Sequence, residues 1–232
     1  MKYKNLTIIG TSHIAQQSLN EVKTAIETEK PEIIALELDK NRLYALMNEK
    51  KVKNKFSLSN IKKIGFKGFL FSLIGAWAEK KLGKLVGVSP GSEMKKAVKL
   101  ARKHQAKIAL IDKDIEQTLK RFSETLTWKE KWNFLIDIFK SVFKKKKLEF
   151  DLREVPNKKI IKKLIKEVKE RYPNVYKVLI TERNRTMAAN LQKLMENNQD
   201  KKILAIIGAG HEEGILKLIK EHRISYSFSI SQ

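Results

Sequence analysis

Apolar and polar positions alternate between two regimes along the chain. Leu6 to Ile9 is a short apolar run ending at Gly10, and Ile33 to Leu38 is another, interrupted only by Glu37. Ile108 to Ile111 and Ile203 to Ile207 repeat the pattern. Short, continuous apolar runs of this kind suit strands buried on both faces of a parallel sheet. Between them lie segments with helical spacing. Leu19, Val22 and Ile26 mark a helix over about 14–28 that Pro31 ends, and further helices are predicted over about 40–48, 91–103, 115–122, 157–171 and 176–197. Asp112-Lys113-Asp114 closes the third strand and offers a cap for the helix after it. The alternation of Tyr226 to Ile230 predicts a final edge strand. The strand–helix–strand order points to right-handed βαβ units and a mostly parallel or mixed α/β sheet of four or five strands flanked by helices. Residues 1–232 read as one α/β domain with helical insertions at about 50–90 and 125–173.

Both predicted insertions are basic. Phe69 to Ala78 is almost wholly apolar and flanked by lysines, but falls far short of the roughly 20 residues that a spanning helix needs. It reads as a helix packed on the sheet or on a second subunit, as in a homodimer, or as an interfacial helix on an anionic membrane surface. Lys144 to Lys147 reads as a solvated face. Across 232 residues, 49 Lys and Arg against 26 Asp and Glu give a net charge of +23. That excess favours anionic surroundings and equally fits a lysine-rich proteome from a hot habitat. No zinc finger, P-loop, Rossmann fingerprint or RNA-recognition signature accompanies it, so no specific nucleic-acid partner is expected. With no cysteine, disulfides, thiolate metal sites and cysteine nucleophiles are excluded. Met1 to Asn5 is short and polar and does not resemble a secretory leader.

The candidate chemistry sits where apolar runs end. Gly10-Thr-Ser-His13 and Gly208-Ala-Gly-His211 are two Gly-x-x-His turns, each between a strand and a helix. In an open α/β sheet, ligands bind at the carboxyl ends of the strands. Glu37, a carboxylate near the end of an apolar run, is costly to bury unless paired or bound to a metal. Two imidazoles and a carboxylate at one edge, His13, Glu37 and His211, make a catalytic zinc-type ligand set with a position left for water. Nearby Asp39 or Glu93 would favour manganese. The alternative is that Glu37 pairs with Arg42 or Arg183 and fixes the fold. Glu182 and Arg183 form a second cluster: Glu182 as general base, extra ligand or surface partner of Arg185, and an arginine as a bidentate clamp on a substrate carboxylate. Glu182, Arg183, Arg42 and Glu93 are the catalytic candidates.

These pieces resemble the TraB family, named for pheromone-shutdown proteins. The matching segments are Gly10-Thr-Ser-His13 with Ser18, Pro31 to Arg42, Gly91-Ser-Glu-Met94, Leu110 to Ile115 with Thr118-Leu-Lys-Arg121, Glu182-Arg183 with Met187-Ala188, and Ile207 to Gly214. They run in order over nearly the whole chain. The resemblance implies kinship with Tiki metal-dependent proteases and with the EreA/ChaN-like group, in which the two Gly-x-x-His motifs and a glutamate are taken as the active-site core. That carries over to His13, His211 and Glu37. Two departures stand out. Asn184 follows the Glu-Arg pair where the family usually has aspartate, and the membrane-spanning segments that often follow in archaeal members are not seen before Gln232. The expectation is a hydrolase of peptide or protein signals that uses a divalent ion (zinc, manganese or cobalt), cytoplasmic or membrane-associated. The alternative is a non-catalytic protein that sequesters a peptide signal at a membrane surface.

Overall fold

The computed structural model describes residues 1–11, 16–48, 91–130, 132–133, 136–137 and 158–228. Ser12 to Ala15, which include His13, lie outside them, as do the Phe69 to Ala78 run and the four-lysine run. Five strands form one sheet: β1 (Lys2–Tyr3), β2 (Leu6–Thr11), β3 (Ile33–Leu36), β4 (Lys107–Leu110) and β5 (Ile203–Gly208), in the order β1-β2-β5-β3-β4. All neighbours are parallel except β1, which folds back antiparallel on β2. The last strand therefore lies in the middle of the sheet. Its sequence explains why: Ile-Leu-Ala-Ile-Ile-Gly is buried at all six positions, so it can be covered on both faces and flanked on both edges.

The helices are α1 (Gln16–Glu29), α2 (Lys40–Met47), α3 (Ser92–Lys103), α4 (Ile115–Thr125), α5 (Lys158–Arg171), the short turn α6 (Pro173–Tyr176), α7 (Arg183–Glu196) and α8 (Glu212–Phe228). A π-helical turn, Lys177–Glu182, leads directly into α7. The strand period of two sorts the core into two layers. Ile33, Ala35, Ile203, Ala205 and Ile207 face Met187, Leu191, Ile215 and Ile219 of α7 and α8. Ile34, Leu36, Leu204 and Ile206 face Val22, Ile26, Met94, Ala97, Val98 and Ala101 of α1 and α3. The sheet is thus sandwiched between helices, and its carboxyl edge is left to the loops.

Two local signals work as expected. Asp114 caps α4, accepting from Glu116 N at 2.8 Å and Gln117 N at 3.2 Å. Asp39 caps α2, accepting from Asn41 N at 2.8 Å and Arg42 N at 3.0 Å. Gly91, at φ 77°, opens α3 in the left-handed region where a side chain would be strained. The strand expected at Tyr226 to Ile230 is corrected: α8 runs on through Phe228, and residues 229–230 lie outside the described part. The fifth strand is instead β1, two residues whose return to β2 is turned by Lys4 at φ 52°. Among the described residues, no helix is long and apolar enough to cross a membrane.

If the two-layer core carries the fold, Leu204→Ala, at a fully buried position in the central strand, should cost about 2–5 kcal/mol in urea unfolding. Asp114→Ala, which removes only a cap, should cost about 1 kcal/mol.

Candidate functional site

Three of the four parallel strands deliver a polar side chain to the carboxyl edge within a few residues of their ends. Glu37 follows β3, Asp112 follows β4, and His211 follows β5. All three are buried. β2 ends at Thr11, in register with Gly208, and the backbone N–H of Ala209 donates to Thr11 O at 2.8 Å. The turn expected to carry His13 therefore leaves from the strand beside β5. A Cβ on Gly10 would stand 2.9 Å from Ala209 Cα, so the close approach of these two chain segments requires glycine.

Arg183, the first residue of α7, ties the edge together. Its Nη2 donates to Glu37 Oε1 and, at 2.6 Å, to Asp112 Oδ2. Its Nε lies 3.2 Å from both Asp112 oxygens, and its Nη1 lies 3.3 Å from His211 Nε2. Arg42 extends the chain of charges. Its Nη2 donates to Asp112 Oδ2, and its Nε donates to Asp39 Oδ2 at 2.6 Å. The second Glu37 oxygen, Oε2, accepts the backbone N–H of Gly208 at 2.5 Å. The order is Asp39, Arg42, Asp112, Arg183, Glu37, with charges alternating: three carboxylates against two guanidiniums. Burial by itself would raise the Asp112 carboxyl. The hydrogen bond and charge of Arg183, with those of Arg42, outweigh burial and hold the group below its usual range. Arg183 is the converse case. Burial would lower it, but the charges of Glu37 and Asp112 push it above the ordinary arginine value.

His211 has a fixed tautomer. Its Nε2 faces an Arg183 N–H, so that nitrogen must accept, and the proton resides on Nδ1. Nδ1 donates to Asn184 Oδ1 at 2.6 Å. Asn184 is itself placed by a missing side chain: a Cβ on Gly214 of α8 would fall well inside contact distance of Asn184 Nδ2. The π turn ends at Glu182, so Arg183 and Asn184, the two residues that reach the edge, open the regular helix. Such turns recur at functional positions.

The structure therefore brings Glu37, Arg42, Arg183 and His211 together. Glu182 goes elsewhere, to Lys113 Nζ at 3.6 Å and Arg121 Nε at 3.4 Å. Glu93 is buried in the first turn of α3. Of the two roles weighed for Glu37, the ion pair with Arg183 is present. Among the described residues, no three His, Asp or Glu side chains are gathered as a metal site. Asp112, the hub of the network, was not singled out by its sequence. The signal was available: it follows a strand as Glu37 does.

The profile of the TraB/PrgY/gumN family matches residues 2–225. The chain belongs to the TraB/PrgY/gumN family. An uncharacterized protein of Methanocaldococcus jannaschii is 39% identical over 221 residues, covering 94% of this chain and 54% of that protein. TraB domain-containing proteins of Mus musculus and Homo sapiens are each 22% identical over 238 residues, covering 90% of this chain and 61% of theirs. The chain thus spans little more than half the length of these curated TraB relatives. The matched region of this TraB chain takes in Glu37, Asp112, Arg183 and His211.

Asp112 should be expensive to neutralise. Asp112→Asn removes a buried carboxylate and leaves two part-buried guanidiniums short of a charge, which should cost about 3 kcal/mol near neutral pH. Because the folded carboxyl lies below its unfolded value of about 3.9, its stabilisation is fully present above that value. It is lost as pH falls through the lower folded value. The gap between wild type and variant in chemical denaturation should therefore be constant from pH 7 to about 5 and close below about 4. Gly214→Ala should displace the Asn184 amide, and imidazole ¹⁵N NMR should report loss of the hydrogen bond at Nδ1–H of His211.

Proposed function

We propose that the carboxyl edge of this sheet is the active site of a hydrolase acting on peptides or proteins, with a divalent ion held by Glu37 and His211. The observation that supports it is the presentation of His211. Asn184 holds the Nδ1 proton, so the Nε2 lone pair is turned toward Glu37 Oε1, 3.6 Å away. Metal-binding histidines are oriented in this way by a partner on the other ring nitrogen. The donor chemistry fits zinc, manganese or cobalt: one neutral imidazole nitrogen and one buried carboxylate oxygen, with His13 the third ligand expected from its Gly-x-x-His turn.

When bound, the ion would polarise a carbonyl and ease deprotonation of water. The protein's own residues supply the rest. Gly208 N–H fixes the Glu37 carboxylate through Oε2, leaving Oε1 directed into the edge. Asn184 keeps His211 in the tautomer that can accept a proton or bind a cation. Arg183 and Arg42, both held by Asp112, bring positive charge to the edge where a substrate carboxylate or a developing oxyanion would sit.

A second reading has its own support. Glu37, Asp112 and Arg183 satisfy one another within the fold, as they would in a protein that binds a peptide signal without cleaving it.

Purified protein incubated with a mixture of unstructured peptides and Zn²⁺, Mn²⁺ or Co²⁺ should yield defined fragments by mass spectrometry. Cleavage should stop on chelation and fall by roughly 100-fold or more in His211→Ala and Glu37→Gln, with circular dichroism confirming that each variant is folded. Equal cleavage in wild type and variants would refute the hydrolase site. Peptide binding that survives chelation, without fragments, would favour the second reading.

A further inference from the structure

The seat assigned above to a divalent ion already holds a cation. Arg183 Nη2 lies on Glu37 Oε1, and Arg183 Nη1 lies 3.3 Å from His211 Nε2. Those two acceptor atoms are 3.6 Å apart. Two ligand atoms, each about 2.1 Å from one tetrahedral ion, would stand about 3.4 Å apart. The guanidinium thus spans a pair of atoms spaced as ligands of a single ion, and it uses the lone pair and the carboxylate oxygen that an ion would use.

The two cations exclude each other. The Nε2 lone pair can point to an N–H or to a metal but not to both. Like charges at that separation repel, and the burial of Glu37 and His211 weakens the screening between them. Arg183 also has somewhere to go. Its Nε already faces both oxygens of Asp112, and Nη1 lies 3.4 Å from Leu179 O in the π turn. A change in the outer torsions of the side chain could release Glu37 and His211 while keeping Asp112.

We propose that Arg183 is a built-in competitor for the metal seat: it neutralises Glu37 in the metal-free protein, and an ion enters only as the guanidinium withdraws onto Asp112. This rests on the metal reading of the site. It makes metal affinity a difference between two occupants, so apparent affinity falls by the fraction of molecules in which the seat is free. It also makes Arg183 a stabilising residue of the metal-free form.

The test is a titration of metal-free protein with Co²⁺ alone, followed by visible absorbance and by thermal unfolding. If Arg183 holds the seat in about 90% of molecules or more, Arg183→Gln should bind Co²⁺ about tenfold or more tightly than wild type. The variant should also melt lower without metal and regain more of its stability on Co²⁺ addition than wild type gains. Arg183→Lys, which keeps the charge but cannot span both carboxylates, should lie between them, and it reads the same competition if the glutamine variant does not fold. Wild type binding Co²⁺ as tightly as Arg183→Gln, or more tightly, with binding lost in His211→Ala, would overturn the competition and leave the metal site standing. Absence of binding in all forms, or binding that His211→Ala leaves unchanged, would overturn both.

Discussion

A largely buried guanidinium, Arg183, that bonds to residues after two different strands governs the arrangement of this protein. Glu37 and Asp112 leave neighbouring parallel strands, β3 and β4, and both are buried. An ionised carboxylate placed there alone would cost several kcal/mol, and two side by side would repel. Arg183 answers both, and Arg42 shares the second with Asp39. Such a network contributes little net stability compared with an apolar core of the same volume. What it does impose is position. Each charge is tolerable only while its partner is within hydrogen-bond reach, so the ends of β3, β4 and β5 and the start of α7 are fixed relative to one another.

That constraint divides labour within the molecule. The sheet and its two helical layers are apolar and sorted by strand periodicity, and they supply the stability. The edge supplies geometry. The link between the two is steric and runs through Gly214. The absence of a Cβ there lets α8 approach α7 closely enough for the Asn184 amide to lie between them and hold the His211 ring. A single missing methyl in a helix thus makes room for the amide that meets the Nδ1 side of the ring, while Arg183 faces Nε2. The π turn before Arg183 serves the same end, shifting the register of a continuous helix so that a charged and an amide side chain reach the edge in succession.

Much of this was legible in the chain. Four apolar runs gave four parallel strands because burial on both faces leaves so plain a signature. Glu37 stood out because a carboxylate in such a run demands a reason, and His211 because glycines flank it at a strand end. Asp112 was hidden by its surroundings. Asp112-Lys113-Asp114 reads as a helix cap, and Asp114 is one; only the pairing of β4 with β3 shows that the other aspartate turns inward. Glu182 misled for a related reason. Adjacent to Arg183 in sequence, it points the other way around the helix and finds Lys113 and Arg121. The final segment misled through its alternating Tyr226 and Phe228, which fit a strand locally but continue a helix already begun at Glu212. β1 escaped notice because two residues carry no period at all.

Asn184 occupies the position where resemblance to the family leads one to expect aspartate, and the electrostatics of the edge give the substitution meaning. A carboxylate there would also accept the Nδ1 proton, but it would favour the imidazolium, and a protonated Nε2 would confront the Arg183 guanidinium. It would also add a fourth negative charge to a group that already has three carboxylates against two guanidiniums. The amide fixes the same tautomer without charge. It keeps Nε2 an acceptor, whichever cation it faces. In this chain the neutrality of residue 184 and the cationic character of residue 183 are therefore one arrangement, since changing the first would alter what the second can touch.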